Sequence, residues 1–162
     1  MINIIDDFLS AEDHAYVWFY CSNTSYKYGE RDVQDKPPTG MISIIPEAER
    51  FYKIFAEETQ KIVPDLRLAR MYINCFSSSE NPWFHTDSND ENAKTFIYYP
   101  ACPYDHDIDN CGTTQFYIDD YIHGVIPKEN RMIYFNSSII HRATSFRDGH
   151  RFTVALKYEP LD

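Results

Sequence analysis

Glycine is scarce, at 5 of 162 residues. Long apolar runs are missing, and none approaches the roughly 20 residues that span a bilayer, so no membrane partner is expected. Basic residues are outnumbered: Lys plus Arg is 15 against 25 for Asp plus Glu, a formal charge of −10. Binding a duplex requires clustered Lys and Arg to neutralise phosphates, so no nucleic-acid partner is expected either. Cys-x-x-Cys is absent. Cys21, Cys75, Cys102 and Cys111 lie 54, 27 and 9 residues apart, which reads as a reduced protein with idle thiols and not as a disulfide scaffold. Met1 to Asp7 has no basic stretch and meets acid at once, so a signal peptide is not expected and a cytoplasmic protein is. There is no internal repeat and no dividing linker.

What the chain has in quantity is aromatic surface: 13 Tyr, 11 Phe and 2 Trp. A disordered or low-complexity chain has the opposite bias, and this length suits one domain with one sizeable core. Ser10-Ala11-Glu12-Asp13 reads as a capped helix start, followed by apolar positions at Tyr16, Phe19 and Tyr20 and an end near Cys21-Ser22-Asn23. Residues 24–40 contain Pro37-Pro38, two glycines and mixed charge, a long loop of the kind that usually binds something. Pro46 opens a second predicted helix to about Val63. From Leu66 onward the runs are short, β-branched and aromatic: 66–73, 94–99, 114–118, 131–135 and 151–158. Two helices and then strands, with no helix-length segments between the strands, predict an α+β domain in which a sandwich or barrel carries helices on one side. Residues 1–65 are the expected helical support and loop, and 66–162 the β core.

The chemistry concentrates in a few residues. His85 and Asp87, two apart on an extended segment, project to one side. His141 follows a strand about fifty residues later, and Arg151 heads the last strand ten residues beyond that. Two imidazoles and one carboxylate on one face of an octahedral metal leave three positions open, which suits non-haem Fe(II) with a bidentate cosubstrate and O₂. An arginine at the head of the last strand suits bidentate recognition of a carboxylate. The plainer alternatives are surface or capping residues that share this spacing and, for Arg151, a cross-strand ion pair.

In this string the chain resembles the Fe(II)- and 2-oxoglutarate-dependent dioxygenases, in particular their prolyl 4-hydroxylase-like branch, over nearly its whole length. Ile5-Asp6-Asp7-Phe8-Leu9-Ser10 is similar to the family's opening phrase. Ile97-Tyr98-Tyr99-Pro100 resembles its tyrosine-bearing strand. Cys111-Gly112-Thr113-Thr114-Gln115-Phe116 resembles its Gly-Gly-x-Thr-x-Phe segment, with Cys in the first glycine's place. Pro127 to His141 is similar to the approach to the distal histidine, and Arg151-Phe152-Thr153 matches Arg-x-Ser/Thr. The resemblance implies a double-stranded β-helix (a jelly-roll barrel, cupin-like) with supporting N-terminal helices. It implies His85, Asp87 and His141 as iron ligands and as the catalytic set. Arg151 would bind the C5 carboxylate of 2-oxoglutarate, with help from Tyr99 and Thr153, and Tyr72 would lie near the metal-side end of that cosubstrate. The reaction it implies consumes O₂ and 2-oxoglutarate, releases succinate and CO₂, and hydroxylates a C–H bond, most readily of proline in a peptide or protein. Asp87 keeps the carboxylate that halogenating relatives lack.

For the substrate, the 24–40 loop offers Tyr26, Tyr28 and Arg31, and Trp83 lies two residues before His85; in the hydroxylases that this chain resembles, such a loop folds over the substrate. Glu80 to Asn110 contains seven acids and one base, an acidic rim that favours a basic peptide or, equally, a generic soluble surface. A free amino acid or small metabolite is the competing substrate. A non-catalytic jelly-roll that binds a small ligand is the reading from a different class. His106, in Tyr104-Asp105-His106-Asp107-Ile108-Asp109, reads as part of a solvated acidic connection in preference to a second metal loop. His14, His123 and His150 have no partner pattern, and Cys75 reads as a buried thiol.

Overall fold

The computed structural model describes residues 1–102 and 108–161; His106 lies outside the described residues. In chain order the elements are β1 (Asn3–Ile5), α1 (Ala11–Asn23), β2 (Lys27–Tyr28), β3 (Met41–Ile44), α2 (Arg50–Gln60), β4 (Leu66–Phe76), β5 (Lys94–Tyr99), β6 (Thr114–Ile118), β7 (Tyr121–Val125), β8 (Arg131–Asn136), β9 (His141–Ala143) and β10 (Arg151–Pro160). A single 3₁₀ turn covers Ile108–Asn110. Every strand pair is antiparallel. One sheet has seven strands in the order β1-β8-β5-β10-β4-β3-β2 and the other has three, β7-β6-β9. The architecture is α+β, mostly antiparallel, and the two sheets do not close on one another.

Ser10 caps α1, its hydroxyl accepting from the Asp13 amide at 3.2 Å. The buried face of α1 is Val17 and Cys21, with Tyr16 and Tyr20 packed at its edge; Phe19, expected on the apolar face, is exposed. The second helix starts later than Pro46 suggests. Glu49 is extended, and its amide closes a turn onto the Pro46 carbonyl, so helical geometry begins at Arg50. Phe51, Phe55 and Thr59, at spacing four, then face the sheet.

Strand alternation divides the molecule into two layers. Met71 and Ile73 of β4, Phe96 and Tyr98 of β5, Met132 of β8, and Val154, Leu156 and Tyr158 of β10 pack on Val17, Cys21, Phe51 and Phe55. The intervening residues face the other sheet, where Tyr99, Ile133 and Phe135 meet Phe116 and Val125. Each large side chain so buried contributes about 1.5–3 kcal/mol.

Five strands among the described residues escape sequence patterning: β1, β2, β3, β7 and β9. β7 is an edge strand, exposed at four of its five residues, so it shows no alternation. It is formed by a two-residue hairpin in which Asp119 and Asp120 both have positive φ, the geometry of a type I′ turn. β9 has three residues and exists because Phe116 pairs with His141. The 24–40 segment also yields a strand, since Lys27 and Tyr28 pair with Ile42 and Met41. Among the described residues, no helix is long and apolar enough to cross a membrane.

Candidate active site

Between the sheets lies a cavity lined by alternate residues of two neighbouring strands. Arg151, Thr153, Ala155 and Lys157 line it from β10, and Tyr72, Asn74 and Phe76 from β4. These are alternate residues, so the strands that turn Val154 and Ile73 to the helices turn this polar set inward.

His85 reaches the cavity by pairing with β9. Its amide donates to the His141 carbonyl at 3.0 Å, and the His141 amide donates back at 2.9 Å. Two residues on, Asp87 points to the same side, with its amide on the Ser137 carbonyl at 2.9 Å. Nδ1 of His85 lies 2.9 Å from the Trp83 carbonyl oxygen, and Nδ1 of His141 lies 2.9 Å from that of Ile139. A carbonyl oxygen only accepts, so each Nδ1 carries a proton, and Nε2 is the nitrogen that presents a lone pair when the ring is neutral. Both Nε2 atoms face Asp87: His85 Nε2 is 3.5 Å from Oδ1 and His141 Nε2 is 3.3 Å from Oδ2. One ligand atom from each residue lies within 4.8 Å of the others. Three converging acceptors repel one another unless a cation is among them, and the donor set is one that holds a divalent transition metal.

Asp87 has further support. Its Oδ2 accepts from Thr95 Oγ1 at 2.6 Å and touches the Lys157 ammonium, while Thr95 Oγ1 lies 2.9 Å from Ser137 Oγ. Burial alone would raise the Asp87 pKa, but Lys157, His141 and His85 together drive it far below the carboxylate range. Burial pushes His141 down despite Asp87, whereas at His85 burial is outweighed by Asp87 and the Trp83 carbonyl, and its pKa rises.

At the other end of the same β10 face, Arg151 is 1% exposed. Its Nε donates to the Gly112 carbonyl at 2.8 Å and its Nη2 to Thr114 Oγ1 at 2.9 Å. Nη1 is buried with no partner among the described residues, as is Asn74 Oδ1 beside the same cavity. Burial pulls the Arg151 pKa down, and among the described residues no ion pair offsets it. The guanidinium lies over the Tyr99 ring at 5.6 Å, and the Tyr99 hydroxyl is 2.7 Å from Thr114 Oγ1. A buried cation with an unused donor, beside three converging acceptors, fits a ligand that carries a carboxylate at one end and metal-chelating oxygens at the other. Gly112 allows this packing: its φ is +51°, and a Cβ there would lie 2.5 Å from Phe146 and 3.2 Å from Arg151 Cδ.

The expected substrate residues are dispersed. Trp83 is clamped to the 29–40 segment: its amide donates to Asp32 Oδ2 at 3.3 Å, its indole N–H to the Pro37 carbonyl at 3.3 Å, and Lys36 lies 5.0 Å over its ring. Arg31 lines an outer cavity of about 450 Å³ above His85 and Asp87, together with Glu30, Asp32, Arg70, Tyr72 and Lys157. Tyr28 is exposed, with its hydroxyl on the Pro38 carbonyl, and Tyr26 packs on Phe152 with its hydroxyl on the Cys21 carbonyl. The structure thus brings Arg31 to the outer cavity, leaves the Trp83 side chain against the 29–40 segment, outside the lining of either cavity, and leaves Tyr26 in the helix-side packing.

Lys157, Thr95, Asn74, Thr114, Glu30 and Asp32 line or support the site without having been singled out in the sequence. For Lys157 a signal existed: it stands six residues after Arg151, an even step along a strand, and is therefore on the same face.

No family model matches the sequence, and no curated protein matches it either. Solved structures do. The prolyl hydroxylase of Trichoplax adhaerens, in complex with a hypoxia-inducible-factor peptide fragment, superimposes with a TM-score of 0.78 at 16% identity, over 98% of this chain and 83% of that one. A Pseudomonas putida prolyl-4-hydroxylase gives 0.81 at 11% identity, over 99% and 93%. HygX of Streptomyces hygroscopicus, with nickel and 2-oxoglutarate bound, gives 0.74 at 11% identity, over 98% and 82%. The fold is that of the 2-oxoglutarate oxygenases. Prolyl hydroxylases are among the structures that share it over nearly the full length of this chain.

Proposed function

We propose that the protein is an Fe(II)- and 2-oxoglutarate-dependent oxygenase that hydroxylates a C–H bond, with a prolyl residue of a peptide or protein as substrate. One observation carries the reading: His85 and His141, which converge with Asp87, line the same cavity as Arg151, whose buried Nη1 has no partner among the described residues. The two sheets are read as the walls of a double-stranded β-helix, in one domain over 1–162. His85, Asp87 and His141 would hold Fe(II); the bound metal with 2-oxoglutarate would supply O₂ activation coupled to decarboxylation to succinate and CO₂. The Nδ1 hydrogen bonds of both histidines keep Nε2 available and the rings aimed. Arg151, with Thr114 and Tyr99 beside it, would take the C5 carboxylate, and Thr153 and Asn74 would line the path back to the triad. Over the mouth, Asp32 ties residues 29–40 to the Trp83 segment, a cover that excludes water from the reacting centre.

That the Trichoplax neighbour is in complex with a peptide supports the peptide reading. A small charged metabolite is the second reading, favoured by the outer cavity, where Glu30, Arg31, Asp32, Arg70 and Lys157 outnumber the apolar groups. Anaerobic titration should give one Fe(II) per chain, and 2-oxoglutarate should be converted to succinate. His85→Ala, Asp87→Ala and His141→Ala should each lose metal affinity severely, because water replaces a directional ligand poorly. Undiminished binding in all three rejects the assignment. Coupled succinate release with prolyl peptides, set against free amino acids, decides between the two substrates.

A further inference from the structure

The triad carries an unexpected companion. Lys157 lies on the cavity face of β10, its side chain 18% exposed, and its ammonium contacts Asp87 Oδ2 while its Nζ lies 5.8 Å over the Tyr72 ring. The same oxygen accepts from Thr95 Oγ1 at 2.6 Å, and Thr95 stands opposite Lys157 in the β5–β10 register. Asp87 Oδ2 is therefore held from two adjoining strands, one of which supplies a full positive charge. Oδ1, 3.5 Å from His85 Nε2, carries no such bond among the described residues.

We propose that Lys157 is a positioning residue for the metal: by claiming Asp87 Oδ2 it leaves Oδ1 as the oxygen offered to the ion. This rests on the reading of His85, Asp87 and His141 as the metal-holding set. The physical reason is a competition for one carboxylate. A neutral hydroxyl bond to Oδ2 yields easily to a divalent cation, whereas a charge-assisted bond is roughly twice as strong. Freed from Lys157, Asp87 would use both oxygens and fill one of the open positions that a chelating cosubstrate needs. The ammonium also repels the incoming metal. Lys157 thus weakens metal binding and protects cosubstrate binding, two effects of opposite sign. A residue that only stabilised the fold would weaken both when removed.

The test is calorimetric titration of the full chain with Co(II), then of the Co(II)-loaded protein with 2-oxoglutarate, for the parent and Lys157→Met. Loss of one like charge beside the site should tighten Co(II) by about tenfold, on the scale of the 1–3 units by which a neighbouring charge moves an ionic equilibrium, and 2-oxoglutarate affinity should fall. Both affinities falling together, both unchanged, or tighter Co(II) with unchanged 2-oxoglutarate each overturn the proposal. Should Lys157→Met fail to fold, Lys157→Gln keeps a polar side chain of similar reach and removes only the charge. It should likewise tighten Co(II) and weaken 2-oxoglutarate, and unchanged 2-oxoglutarate binding overturns the proposal. A parent protein that binds neither Co(II) nor 2-oxoglutarate overturns the site reading itself, and Lys157's role with it.

Discussion

Replacing Arg151 with Met separates a ligand-binding cation from a structural one. The guanidinium is 1% exposed, makes two hydrogen bonds, leaves Nη1 unpaired and has no ion-pair partner among the described residues. A buried charge without a counter-charge costs several kcal/mol. Arg151→Met removes that cost and gives up two charged hydrogen bonds of about 1.5–3 kcal/mol each. The terms oppose one another, so the melting temperature without ligand should move by no more than about 5 °C, at roughly 2–4 °C per kcal/mol for a domain of this size. Ligand binding has no such offset. A carboxylate left buried without its partner loses about 3–5 kcal/mol, which is roughly two to three and a half orders of magnitude in Kd. Titration of the Co(II)-loaded variant with 2-oxoglutarate measures it. Binding within about threefold of the parent, or a melting loss above about 10 °C, would make Arg151 a cross-strand structural element and refute the cosubstrate reading.

Three further outcomes follow from local geometry. Gly112→Ala places a Cβ 2.5 Å from Phe146 at a φ of +51°; it should lower stability by about 1–3 kcal/mol in urea unfolding, and parent-like stability would show that the turn relaxes freely. Asp6 is bound to Lys128 at 3.0 Å and Arg131 at 2.7 Å, which hold its carboxyl at about 2, below its ordinary 3.8. A depressed carboxyl contributes above its unfolded pKa and loses that contribution as pH falls through the folded one. Since Asp6 is 36% exposed, Asp6→Asn should cost only about 0.5–1 kcal/mol near neutrality, and the difference from the parent should vanish between pH 3.8 and about 2. Asp32→Ala removes the acceptor shared by Thr39 Oγ1 and the Trp83 amide; proteolysis within 29–40 should quicken about fivefold, as for about 1 kcal/mol of lost local stability, and an unchanged rate would mean that Asp32 does not hold the segment.

The chemistry was legible in the sequence where it depends on short-range pattern. His85 and Asp87 share a side because two residues is the strand period, and Arg151 heads an alternating strand whose polar face is plain once it is written out. The Ser10 cap, α1 and the longer strands follow from signals within a few residues. What sequence could not supply is pairing. Nothing within a few residues of Lys157 places it against Asp87; the β5–β10 register does, and it does so together with Thr95. Tyr26 looks like a binding aromatic in a polar loop, yet the fold packs it on Phe152. β7 and β9 are strands only because a partner lies beside them. Backbone hydrogen bonds between segments distant in the chain determine which side chains share a cavity, and those bonds form only in the tertiary structure. His85, Asp87, His141 and Arg151 could be singled out in the sequence by strand spacing and by resemblance; that Lys157 lies against the Asp87 carboxylate could not.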